Sequence, residues 1–119
     1  MKFLMLIRHA ESYRSHTIPQ SLMDAMGEFV TDNMKGGVLK DTAGLKPTAD
    51  GFRIRSKNGT LTATDGPFTE TKEVIGGFAL VEVNSPKEAR DFANRFMDLH
   101  RIHWPAFEGE CEVRPFEEP

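Results

Sequence analysis

Two stretches of this sequence, residues 2–8 and 74–83, are largely apolar on both sides when drawn as extended chain. Side chains alternate sides along a strand. Phe3, Met5 and Ile7 fall on one side of the first stretch, opposite Leu4, Leu6 and Arg8. In the second, Gly77, Ala79, Val81 and Val83 alternate with Phe78, Leu80 and Glu82. Strands apolar on both faces belong in the middle of a sheet, with cover above and below. The Gly76-Gly77 pair marks a bulge or a close backbone approach.

The remaining elements fit around that pair. Leu22, Met23, Met26, Phe29, Val30 and Met34 recur at helical spacing and predict a helix over 19–35, with Pro19 in its first turn and Gly36-Gly37 as its stop. Val38-Leu39-Lys40 starts a short strand, followed by irregular chain to Asp50. Residues 52–57 and 60–64 read as a hairpin about Asn58-Gly59, two residues that tolerate positive φ. Ser85-Pro86-Lys87-Glu88 is a capping box with proline at the first helical position, and Ala89, Phe92, Ala93 and Phe96 form the buried stripe of the helix it opens. A less regular segment, 99–107, leads to a last strand at 110–116.

The order β-α-β-β-β-α-β predicts an α+β domain: a ferredoxin-like, split βαβ antiparallel sheet with two helices on one face. The 119 residues suit one domain spanning the whole chain. The two helices cover one face of the sheet. The apolar side chains on the other face call for a second copy of the chain, so a homodimer is expected. The lone Cys111 forms no internal disulfide, which fits a reducing cytoplasm. Fifteen basic against eighteen acidic residues give no nucleic-acid footprint, and no apolar run reaches membrane-spanning length. The short apolar start is followed by no small-residue cleavage site, so no signal peptide is expected.

The densest chemistry lies in Asp65-Gly66-Pro67-Phe68-Thr69-Glu70-Thr71-Lys72-Glu73. This block resembles the signature of the DGPF-type proteins of the YCII-related family. Residues 1–7, Gly37-Val38-Leu39, Gly44-Leu45-Lys46-Pro47, Ile75-Gly76-Gly77-Phe78 and residues 109–115 extend the similarity. The resemblance implies a dimeric α+β barrel built sheet to sheet. It implies no settled reaction. Its link to extracytoplasmic-function sigma factors keeps a non-catalytic regulatory module, with a sigma-factor-linked partner, as the alternative function.

Within the block, Asp65 and Glu70 are candidate base and acid, Lys72 their electrostatic partner, and Phe68 a wall for an apolar ligand. The competing reading is turn chemistry at Asp-Gly-Pro with solvated charges beyond it. Arg8 and His9 are candidate ligand contacts at the end of a central strand, where a charge needs a carboxylate, an anion or an escape to water. Together these residues predict a small-molecule site between sheet and helices, rimmed by Arg8, Asp65, Glu70 and Lys72. It would do acid–base chemistry on a small organic substrate without a cofactor.

Leu6-Ile7-Arg8-His9-Ala10-Glu11-Ser12 also resembles the N-terminal motif of histidine phosphatases. Ala10 stands where that motif has glycine, and the antiparallel pattern is not that fold's alternating β-α order. His100 and His103 have the i, i+3 spacing of a metal pair, but with Arg101 between them and no evident third ligand no metal is expected. Cys111 reads as a small buried hydrophobe, and the methionines of the first helix as core.

Overall fold

A computed structural model describes residues 1–118, without the side chains of Arg14 and Ser15. Strand β1 (Lys2–His9) leads through a 3-10 segment, Glu11–Ser15, to helix α1 (Gln20–Lys35) and strand β2 (Leu39–Gly44). A second 3-10 turn, Thr48–Asp50, precedes the hairpin β3 (Phe52–Lys57) and β4 (Thr60–Asp65). Strand β5 (Val74–Glu82), helix α2 (Pro86–His103) and strand β6 (Gly109–Pro115) complete the described chain.

The main sheet runs β2-β5-β1-β6 and is antiparallel throughout. This is the ferredoxin-like order, with β3–β4 inserted as a separate two-stranded sheet. As expected from their doubly apolar pattern, β1 and β5 are central. Phe3, Met5, Val81 and Leu39 face the helices and form one core with Ala89 and Phe92 of α2, against which Phe29 and Val30 of α1 pack. Register places Leu4, Leu6, Phe78 and Leu80 on the opposite face, where they are half-buried. No helix is long and apolar enough to cross a membrane among the described residues.

Four details differ from the sequence expectation. Strand β2 runs on to Gly44 instead of turning irregular after Lys40, because residues 41–44 continue its pairing with β5. Helix α2 runs on to His103 instead of dissolving near residue 99. Its last turn is held because His100 is buried and so extends the apolar stripe past Phe96. In α1, Leu22 is buried, whereas Met23 and Met34 are half exposed, so the inward stripe is narrower than the spacing suggested. At the start of α2, Ser85 Oγ accepts from the Glu88 amide as a cap should, but Glu88 Oε2 accepts from the Asn84 amide, one residue earlier than in a closed capping box.

Candidate functional site

A cavity of about 300 Å³ lies between the helices and the inner face of the sheet. Met5 and Ile7 of β1 line it together with Leu22, Met26 and Phe29 of α1 and Phe92, Phe96 and His100 of α2. The space exists because the strands beneath carry almost no side-chain volume there: Ala43 and Gly44 end β2, and Gly76, Gly77 and Ala79 occupy β5. Tyr13, Trp104 and Phe107 bring an aromatic cluster to the same cavity, with Trp104 and Phe107 stacked at 5.2 Å and Tyr13 edge-on to both. Among the described residues, no Lys, Arg, Asp or Glu lines it.

The polar groups in this setting are few and mostly committed. Tyr13 Oη accepts from the Glu108 amide and donates to Ala106 O, and Thr42 Oγ1 donates to Phe78 O. Among the described residues two buried imidazoles remain, His9 and His100. His9 Nδ1 lies 2.8 Å from Ala10 O, and His100 Nδ1 lies 3.2 Å from Phe96 O. A carbonyl only accepts, so in each ring Nδ1 carries the proton and Nε2 holds the lone pair of the neutral form. His9 Nε2 rests over Gly76: a Cβ built there would lie 2.0 Å from it. Both rings pack against Phe107, at 6.2 Å and 5.1 Å between centroids.

Burial pushes the His100 pKa below its ordinary 6.5, outweighing the pull of the Phe96 carbonyl in the other direction. Below pH 6.5 the unfolded chain binds a proton that the folded chain refuses. This stabilisation is therefore complete above that pH and is lost as the pH falls below it. Denaturant midpoints should accordingly drop as the pH falls below 6.5, and His100→Leu should flatten the drop. An unchanged slope in that variant would assign the acid sensitivity to another group.

Of the candidate catalytic and ligand-binding residues Arg8, His9, Asp65, Phe68, Glu70 and Lys72, His9 alone lines the cavity; His100, weighed only as half of a metal pair, lines it too. Arg8 projects from the opposite face of the sheet and pairs with Glu112 at 2.8 Å, the carboxylate that its position demanded. The 65–73 block lies outside the cavity, and Asp65, Glu70 and Lys72 are exposed. The expected rim of Arg8, Asp65, Glu70 and Lys72 is thus not assembled around this space. The block clips neighbouring loops together. Gly66 N donates to Gly51 O, and Phe68 N donates to Thr48 Oγ1. Thr48 in turn gives its amide and hydroxyl to Glu11 Oε1. Arg53 lies 3.7 Å over the Phe68 ring and bonds Glu70 at 2.7 Å.

His100 sits beside the aromatic cluster, and among the described residues no group of three or more His, Cys, Asp or Glu is arranged to hold a metal. Cys111 is half-buried on the helix side of β6, and burial pushes its thiol up to about 11, which leaves it protonated and unreactive. The importance of His100 was hidden by the apparent end of α2. The i, i+4, i+8 run Phe92, Phe96, His100 was the available signal.

The model of the YCII-related domain matches residues 1–96. A protein of Rhizobium meliloti (strain 1021), named only as the uncharacterized protein R00369, is 40% identical over 82 residues. The match covers 69% of this chain and 62% of that relative, so the chain spans less than two thirds of the relative's length.

Proposed function

We propose that this chain, which belongs to the YCII-related domain family, binds a small, uncharged organic molecule in the cavity between its sheet and helices and offers His9 as the acid–base group. One observation carries this reading: among the described residues, two buried imidazoles, each with Nδ1 held by a backbone carbonyl, are the principal uncommitted polar groups in an otherwise apolar, aromatic space. Neutral Nε2 atoms accept hydrogen bonds, so they favour a ligand that donates one. The described lining residues include no Lys or Arg, which favours neutral ligands over phosphoryl groups and carboxylates. The Asp65–Glu73 block supports placing the chain among DGPF-type members. The Leu4, Leu6, Phe78 and Leu80 surface supports a homodimer formed through the open sheet face.

Trp104 is the only tryptophan and lines the cavity, so its emission reports occupancy. Phenol, a neutral donor, should change that emission saturably, and benzoate should not. Ala79→Phe fills the cavity from β5 and should abolish the phenol response in a protein that still unfolds cooperatively. A parent protein without a saturable phenol response, or one that takes benzoate equally well, would overturn the cavity reading.

A further inference from the structure

We infer that the β3–β4 hairpin is an arm that grips a second copy of this chain. All twelve residues of its strands are exposed, and they pair only with one another in their own sheet. A lone two-stranded hairpin is marginal in water and needs a surface to pack on. Register puts Phe52, Ile54, Leu61 and Ala63 on one face, with Phe52, Ile54 and Leu61 68%, 57% and 70% exposed. Arg53, Arg55 and Lys57 occupy the other face, opposite Thr64, Thr62 and Thr60. The radius of gyration is 16.0 Å, against roughly 13.5 Å for a compact domain of this length. The hairpin is nonetheless aimed, because Arg53 on Phe68 and Glu70, together with the Gly66–Gly51 bond, fix its base.

Charge identifies the occupant. The hairpin holds three of the 15 basic residues and one of the 18 acidic ones, so a positive arm extends from a negative body. The matching negative surface is on the same chain: Asp24, Glu28 and Asp32 are exposed at i, i+4, i+8 along α1, with no Lys or Arg between Gln20 and Met34. A two-fold arrangement lets each arm meet the same surface on the other copy and covers both sets of exposed apolar side chains in one closed assembly. This rests on the homodimer reading above and adds the arm to the open sheet face.

Sedimentation equilibrium of the full chain tests it. The parent should be a dimer. Combining Phe52→Ser, Ile54→Ser and Leu61→Ser should raise the dimer Kd about a hundredfold while Trp104 emission stays native. Arg55→Glu with Lys57→Glu, which leaves the apolar face intact, should weaken the dimer about tenfold at low salt and less at high salt. If the serine variant loses its native emission, the charge-reversed variant decides alone. A dimer broken by Leu80→Glu but indifferent to every hairpin variant would overturn the arm and keep the sheet-face dimer. A parent that is monomeric at every concentration would overturn both. A monomer whose hairpin instead captures duplex DNA would also overturn the arm.

Discussion

Gly66→Ala should lower the stability of this domain by about 3 kcal/mol, a fall in Tm on the order of 10 °C. The added Cβ would lie 1.7 Å from Thr48 O and 2.6 Å from Thr48 C, which are backbone atoms that cannot rotate away. Either residues 47–50 or the start of the 65–73 block must move. Moving either breaks the Phe68–Thr48–Glu11 chain of hydrogen bonds and lifts Phe68 from under Arg53. Glu11 suffers as well, because among the described residues its Oε1 is satisfied only through Thr48 and its buried Oε2 has no partner. By contrast, Asp65→Ala should change Tm by no more than a degree or two, since Asp65 is exposed at the end of β4. Thermal unfolding of both variants checks the pair. A Gly66→Ala protein as stable as its parent would show that the 47–51 turn yields freely.

The contrast shows what could be read from the sequence and why. The doubly apolar β1 and β5 fixed the sheet order, because their pattern admits only central positions and the capping box set where α2 begins. Asn58 and Gly59 take φ of 52° and 76°, the conformation their turn requires. These features are local or periodic, and composition reports them directly. The site was less legible. The 65–73 block drew attention through its density of ionisable groups, yet a run of charges looks the same whether it faces a ligand or clamps a loop. The difference lies in Thr48 and Glu11, which are distant in sequence and share no pattern with the block. The cavity was harder still to see. It is made by what β5 and β2 lack, the side-chain volume missing at Gly76, Gly77, Ala79, Ala43 and Gly44, and its position depends on which strands the fold sets side by side. His9 stands out in the sequence as the end of a central strand and as part of a phosphatase-like motif, and neither signal announces the Tyr13, Phe107 and glycine that surround it.

Gly76→Ala should do the reverse of Gly66→Ala, leaving the fold nearly intact and disabling the site. Here the new Cβ would meet His9 Nε2 at 2.0 Å and Cδ2 at 2.7 Å, atoms at the far end of a side chain that can turn about χ1 and χ2. The backbone need not move, and the stability cost should stay near 1 kcal/mol. The imidazole cannot keep its place, however. Once the ring swings, Nδ1 leaves Ala10 O and the tautomer is no longer set, so the lone pair aimed at a bound donor is lost with the geometry. Phenol affinity read from Trp104 should fall about tenfold to a hundredfold in Gly76→Ala, and by the same factor in His9→Ala, since both remove one hydrogen bond from a buried site. The double variant should bind no worse than either single one, because the two changes remove the same interaction. Independent, multiplying losses would mean that Gly76 matters through the strand itself. A Gly76→Ala protein that binds phenol as tightly as its parent would take His9 out of the site altogether.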